Sequence, residues 1–252
     1  MKFRIVTLNL EQDHKRWPAR RLLIEAELAR LKPDIIALNE VSVPLQTAQL
    51  LRKSMSTADV EYNLVQQTKV NSLSKLEAEA MLSRFPVIES GNLDYQAGDM
   101  VALVVRVLVG GSPLDIYVTH LYRSRGEESL RLFQVQKLLE WIDTRDAVPR
   151  IVCGDFNASL DKPSAALMAT RFRPTQTAPT AFTALAGPDG AVSHPYWPRL
   201  DRCIDYIWVS AETEILESGV CFDRPSPQDA SLWPSDHAGV WADLALRGGD
   251  DG

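Results

Sequence analysis

Gly154-Asp155-Phe156-Asn157 sets a carboxylate and an amide two residues apart. In an extended chain, side chains at that spacing point the same way, so both would face one site. Gly154 before them allows a close backbone approach. Ser235-Asp236-His237 sets a carboxylate beside an imidazole. Glu40 follows the apolar run Ile35-Ile36-Ala37-Leu38, and a carboxylate at the end of a buried strand is costly unless paired or metal-bound. His120 follows Val118-Thr119 at the end of a β-rich run, Asn9 closes another, and Asp205 lies within Ile204–Trp208. Together these groups could orient a water, move a proton, hold an oxyanion and bind a hard cation. Taken singly, each has a plainer reading: a polar turn, a structural histidine, a rim glutamate. Their shared placement at strand ends is the stronger signal, because loops there are where a rigid scaffold displays functional groups.

The strands that must carry them are legible in the pattern. Phe3 to Leu10 is apolar on both faces and reads as an internal strand. Pro18 suits the first turn of a helix striped by Leu22, Leu23, Ala26, Ala29 and Leu31 and stopped by Lys32-Pro33. A buried strand over Asp34–Leu38 ends at Asn39-Glu40, and a helix follows over Leu45–Met55. Further strands are expected at Tyr62–Gln66, Glu79–Ser83 and Val87–Leu93. Val101–Val109 and Leu114–His120 are joined by Gly110-Gly111-Ser112-Pro113, which predicts a hairpin. Leu130, Phe133, Leu138 and Trp141 mark a long amphipathic helix, and Pro149 precedes a strand over Arg150–Cys153.

Arg173 to Arg199 is rich in Pro, Thr and Gly and reads as irregular; so long a stretch in a compact domain is usually functional. In or beside it, Phe172, Phe182, Tyr196 and Trp197 could stack on a base or line an apolar pocket, or simply pack the loop on itself. Late strands are expected at Cys203–Val209, Ile215–Cys221 and Val240–Leu244. Strands outnumber helices and hairpins mix with crossovers, which predicts mixed sheets covered by helices.

With 252 residues, 45% of them apolar, the chain fits one hydrophobic core. A single domain over residues 1–246 with a flexible tail over 247–252 is expected. The net charge is -6 and no basic run appears. Tight non-specific binding of long nucleic acid rests on Lys and Arg neutralising phosphates, so the balance argues against it. A local basic cleft remains open, and Arg123 and Arg125, just after His120, are candidates to contact phosphate. Cys153, Cys203 and Cys221 are odd in number and far apart, which argues against a disulfide framework or a cysteine zinc site. The N-terminus lacks an apolar signal core and no run approaches ~18 apolar residues. The expectation is a cytoplasmic monomer without integral membrane association.

In chain order the sequence contains Thr7-Leu8-Asn9, Leu38-Asn39-Glu40-Val41, Glu77-Ala78-Glu79-Ala80-Met81-Leu82-Ser83-Arg84-Phe85-Pro86, Thr119-His120-Leu121, Gly154-Asp155-Phe156-Asn157, Ile204-Asp205-Tyr206-Ile207 and Ser235-Asp236-His237. This series resembles the endonuclease/exonuclease/phosphatase superfamily over residues 5 to 240. The resemblance implies an α/β fold: a deoxyribonuclease I-like, four-layered α/β/β/α sandwich of two mixed β-sheets. Family members often have Gly where Ala78 stands, and Arg where Cys203 stands, with Arg202 one place earlier here. Neither departure touches the core set.

The resemblance also implies roles. Glu40 would be the principal Mg²⁺ ligand, with Asn9 beside it and Asp236 as a further metal-side carboxylate; Mn²⁺ is the expected substitute. Asp155 would position or deprotonate the attacking water, and Asn157 would hold a non-bridging phosphate oxygen. His237 would contact the phosphate or act as base, with Asp205 orienting its ring. His120 would stabilise charge on the phosphoryl oxygens or protonate the leaving group, and Glu77 would orient His120. The implied activity is Mg²⁺-dependent hydrolysis of phosphate esters, first of all as a phosphodiesterase or nuclease-like enzyme on a nucleic-acid or nucleotide-like ester. A phosphomonoesterase or a sphingomyelinase-like hydrolase of lipid headgroups would use the same site. A catalytically inactive binding module is the third reading, and the complete polar set speaks against it.

Overall fold

The computed structural model describes residues 1–11, 15–69, 76–124, 126–176 and 202–247. The first strand, β1 (Lys2–Asn9), is buried on both faces from Ile5 onward, and it is accordingly an inner strand. It pairs antiparallel with β12 (Gly239–Leu246) and parallel with β2 (Ile35–Ser42). Parallel neighbours need a crossover, and α1 (Trp17–Leu31) supplies it. Pro18 sits in its first turn, and Lys32 ends it with a left-handed backbone whose N–H bonds Leu28 O. With β3 (Asn63–Thr68), β4 (Glu77–Ser83) and β11 (Thr213–Cys221), these strands form a six-stranded sheet in the order β11-β12-β1-β2-β4-β3. α2 (Thr47–Met55) joins α1 on its outer face.

The second sheet has the order β5 (Val87–Asp94), β6 (Val101–Val109), β7 (Ser112–His120), β8 (Arg150–Asp155), β10 (Asp205–Val209), β9 (Arg173–Pro174). α3 (Glu128–Asp143) crosses between the parallel strands β7 and β8, and with the short α4 (Pro163–Met168) it covers this sheet. The expected hairpin is tighter than its sequence suggests. Val109 pairs with Ser112, so the turn is Gly110 and Gly111 alone, at φ 60° and 89°. Two successive positive-φ residues suit a type I′ turn, which glycine adopts without strain.

Alternation along the strands sorts side chains into layers. Ile5, Ile35, Met81, Val105, Ile116, Ile151 and Ile207 fill the space between the sheets. Val6, Leu8, Ile36 and Leu38 face α1 and α2, while Tyr117, Val152 and Trp208 face α3 and α4. Each such aliphatic side chain contributes roughly 1.5–3 kcal/mol on leaving water. The result is the α/β/β/α sandwich of two mixed sheets. No helix among the described residues is long and apolar enough to cross a membrane.

Two helical stripes differ from expectation. The buried face of α1 is Trp17, Arg20, Ile24, Leu28 and Leu31, and Leu22 is exposed. That of α3 is Arg131, Gln134, Val135, Leu138, Leu139 and Ile142, and Phe133 is exposed. Both inner faces carry polar side chains because loop carbonyls beneath them need donors. Arg20 donates to Leu10 O and Pro234 O, Arg131 to Tyr122 O and Ser124 O, and Gln134 to Ala97 O. β2 runs on through Glu40 to Ser42 rather than stopping at Leu38. Phe172 lies in the core beneath α3 and α4, not in a substrate pocket. Residues 177–201 and 248–252 are outside the described residues, and so are the expected irregular stretch beyond 176, Trp197, the end of the tail, and Arg125.

Candidate active site

Residue parity places the functional groups. Ile5 of β1, Ala37 of β2, Met81 of β4, Val118 of β7, Cys153 of β8 and Ile207 of β10 all face the inter-sheet core. Counting by twos along each strand reaches Asn9, Asn39, Glu79 and Glu77, His120, Asp155 and Asp205. Strand directions then gather these at one edge: Asn9 pairs with Asn39, His120 with Asp155, and Asp155 with Asp205. Glu40 has the opposite parity. The register of β2 on β4 slips between Leu38 and Val41, and Glu40 takes a left-handed backbone (φ 53°). Such a bulge re-aims a side chain, here toward Asn9. Gly154, at φ 129°, is where the strands approach most closely. A Cβ there would lie 2.0 Å from Thr119 O and 2.9 Å from Asn39 Oδ1, so glycine is required.

Asp155 is the centre of the cluster. Its Oδ2 lies 3.2 Å from Asn9 Nδ2, 3.6 Å from His120 Nε2 and 3.8 Å from His237 Nε2. Its Oδ1 accepts the Asn157 N–H at 2.8 Å. Asn9 Nδ2 also donates to Glu40 Oε1 at 3.1 Å, so one amide nitrogen sits between two carboxylates. His237 Nδ1 is 3.0 Å from Asp205 Oδ2. Asn157 donates Nδ2 to Leu121 O at 3.0 Å, which spends one of its two amide hydrogens. Ser235 Oγ donates to Asn9 O at 2.6 Å and ties the loop of Asp236 and His237 to the end of β1. His120 is buried, and neither ring nitrogen has a hydrogen-bond partner among the described residues.

Burial and mutual charge drive the titrations apart. Burial pushes the Asp155 carboxyl up, Asp205 adds to this, and His237 opposes it. Burial, then Asp236, also raises Glu40. Burial would lower His237, but Asp205, Asp236 and Asp155 outweigh it and hold the ring well above its usual range. Burial lowers His120 well below that range, helped by Lys69, His237 and Arg123. One imidazole thus favours the cation and the other the neutral ring. Two like groups pushed apart in this way are the usual sign of divided acid–base roles.

Most expected residues meet here: Asn9, Glu40, His120, Asp155, Asn157, Asp205 and His237 converge, with Asp236 on the same loop as His237. Arg123 is exposed, within electrostatic range of His120. Glu77 requires a correction. Its carboxylate bonds Lys69 Nζ at 2.7 Å, and the carboxylate facing His120 Nδ1, at 3.9 Å, is that of Glu79. Both share a face of β4, but Glu79 lies two residues along it, more deeply buried and beside His120 of β7. The expected metal ligands were Glu40, Asn9 and Asp236; ligand atoms of Asp155, Asp205 and His237 also lie within 4.8 Å of one another, close enough to converge on a cation. Reading the sequence missed Asn39, Glu79 and Lys69. Both glutamate and amide lie within the family-like segments, Asn39 adjacent to Glu40 and Glu79 in parity with Met81, with no feature that sets them apart from their neighbours.

The Endonuclease/Exonuclease/phosphatase family matches residues 6–237. Nocturnin of Rattus norvegicus is 27% identical over 92% of this chain and 59% of that protein. Nocturnin of Homo sapiens is 26% identical over 94% of this chain and 60% of that protein. The chain therefore spans less than two thirds of the length of these curated relatives. The human nocturnin catalytic domain, solved with a bound sulfate anion, superposes with a TM-score of 0.74 at 23% identity, over 97% of this chain and 94% of that one. D. rerio TDP2 complexed with single strand DNA product gives 0.76 at 18% identity, over 97% and 99%. An endonuclease/exonuclease/phosphatase from Bacteroides vulgatus gives 0.79 at 17% identity, over 98% and 99%. These structures share the two-sheet sandwich. The match across 6–237, together with the two-sheet sandwich, places this chain in the endonuclease/exonuclease/phosphatase family as a phosphoesterase.

Proposed function

We propose that this chain is a Mg²⁺-dependent phosphodiesterase that hydrolyses its ester by in-line attack of water. The carrying observation is a buried carboxylate, Asp155, held between two imidazoles of opposite charge preference and beside Glu40. The donor set fits a hard divalent cation. Burial and then neighbouring carboxylates push Glu40 and Asp155 up, so a cation beside them would be favoured, and the Asn9 amide bridges the two. Glu40, Asp236 and Asn9, whose Oδ1 would turn from the Glu11 N–H to the ion, would hold it, oxygen ligands of the kind Mg²⁺ takes and Mn²⁺ accepts. His237 and Asp205 are already committed to each other, so we place the ion on the Glu40 side. When bound, the ion neutralises charge on the phosphoryl oxygens.

The chain's own groups do the rest. Asp155 orients the water and takes its proton through Oδ2. His237, steadied by Asp205, contacts a phosphoryl oxygen as a cation. Asn157 donates its second amide hydrogen to a non-bridging oxygen. His120, a neutral ring with both nitrogens unsatisfied, is available to bond a phosphoryl oxygen. A diester is the favoured substrate, and a nucleic-acid or nucleotide-like ester its favoured form, since a TDP2 of this fold holds a single strand DNA product.

Hydrolysis of bis-nitrophenyl phosphate, with Mg²⁺ or Mn²⁺, with chelator, and with Asp155→Ala as blank, tests this. Metal-dependent turnover absent from the variant is expected. Turnover of nitrophenyl phosphate alone would replace the diesterase with a monoesterase. Turnover unaffected by chelator would remove the metal from the reading.

A further inference from the structure

Asn39 is wholly buried, and its side-chain amide bonds three strands at once. Oδ1 accepts the Asp155 backbone N–H of β8 at 2.9 Å. Nδ2 donates to Thr119 O of β7 at 3.1 Å and to Glu79 of β4. A side chain of the first sheet thus takes main-chain bonding positions of the second. Its partners are all buried, and each adjoins a functional group: Thr119 precedes His120, Glu79 faces His120, and Asp155 is the central carboxylate. Asn39 itself precedes Glu40. Away from this edge the space between the sheets is filled by apolar side chains, which attract without direction. Hydrogen bonds are directional and fix distance.

We propose that Asn39 is a positioning residue: its amide clamps the two sheets at the active edge and sets the distances of Asp155 and His120 from Glu40. The clamp needs a donor and an acceptor on one short planar group. Aspartate offers only acceptors and would set two carboxylates, 39 and 79, against each other. Without the amide, the Asp155 N–H, the Thr119 carbonyl and the Glu79 carboxylate lose a partner inside the protein. The inference rests on the phosphoesterase roles given above to Asp155 and His120.

The test compares Asn39→Ala, Asn39→Asp, Glu79→Gln and the pair Asn39→Asp/Glu79→Gln with the wild type. Readouts are backbone amide hydrogen exchange by NMR, circular dichroism, and kcat and KM on bis-nitrophenyl phosphate. In Asn39→Ala the Asp155 amide should lose protection while the amides of inner β1 keep theirs. A misplacement near 1 Å can cost about 100-fold, so kcat should fall by roughly that factor, with KM little changed. Asn39→Asp should lose a similar factor, and the pair should recover only part of it, because the contact between positions 39 and 79 is restored while Thr119 O still has no donor. Wild-type kcat in Asn39→Ala, an unchanged Asp155 amide, or a rise confined to KM would overturn the proposal. If Asn39→Ala does not fold, Asn39→Asp decides, and wild-type kcat in it overturns the proposal. If the wild type hydrolyses no diester, the functional reading falls, while Asp155 exchange still decides the clamp.

Discussion

β7 and β8 carry buried carboxylates at both ends and use them in opposite ways. Near their amino ends, Asp115 is fully buried and fully bonded. Arg106 grips it at 2.6 and 2.9 Å, and Arg145 adds a bond at 3.1 Å. At their carboxyl ends, Asp155 is as deeply buried. Its side-chain neighbours are an amide and two imidazoles at 3.2 to 3.8 Å, with further carboxylates beyond. A guanidinium fork satisfies a carboxylate and consumes its lone pairs. Amides and imidazoles at longer range leave lone pairs for a cation and a water. One end of the strand pair holds the fold together, and the other keeps its charges underpaired for chemistry.

The largest effect should come from the underpaired end. Asp155→Asn should lower turnover by roughly 10²–10⁴, with little loss of melting temperature. The fold already disfavours this carboxylate, so neutralising it removes an unfavourable charge. Next comes the bonded end. Asp115→Ala takes the buried carboxylate from Arg106 and Arg145 and leaves them the more exposed Glu89 and Asp146, so it should cost about 3 kcal/mol of stability, the low end for breaking a buried pair. Its folded fraction should keep wild-type kcat, read by chemical denaturation beside initial rates. A stability loss for Asp155→Asn matching that of Asp115→Ala would erase the distinction.

Mg²⁺ should sharpen the contrast. An ion that binds only the folded state at 100 times its Kd stabilises by about 2.7 kcal/mol. The wild type and Asp115→Ala should both show a Mg²⁺-dependent rise in Tm, and Glu40→Gln should not. An equal rise in Glu40→Gln would move the ion away from Glu40, and the triad of Asp155, Asp205 and His237 would be the next place to look.

How far the sequence reveals these two ends follows from what a one-dimensional pattern contains. Strand identities came from apolar runs, and the catalytic candidates from polar residues closing those runs, so Asn9, Glu40, His120 and Asp155 were legible. Mixed sheets covered by helices followed from mixing hairpins with crossovers, and the four layers from the family resemblance. Hidden were features that depend on register. The bulge that turns Glu40 into the site appears only once β2 is paired with β4. Asn39 reads as a neighbour of Glu40 until β7 and β8 lie across it. Helix faces were misread where loops needed donors, as with Arg131 and Gln134, which hold the segment after His120 through Tyr122 and Ser124. The Arg106–Asp115–Arg145 group gave no sign because its members lie apart in sequence: strand pairing sets Arg106 against Asp115, and the turn after α3 brings in Arg145.

The smallest effect concerns the two glutamates of β4, where the same contrast recurs two residues apart. Glu77 is bonded to Lys69 at 2.7 Å. Glu79 has one oxygen held by Asn39 and the other unsatisfied, 3.8 Å from Lys69 Nζ and 3.9 Å from His120 Nδ1. Burial pushes its carboxyl up to about 7, with Lys69 and Asn39 opposing. Glu79→Gln removes the charge that faces the His120 ring and should lower kcat about tenfold, a barrier change of about 1.4 kcal/mol. Glu77→Gln should leave kcat near wild type and lower the melting temperature, because buried Lys69 loses its bonded partner. Rates and melts of the two variants side by side decide it: the reverse pattern would give the orientation of His120 back to Glu77 and would make Glu79 a structural link between Asn39 and Lys69.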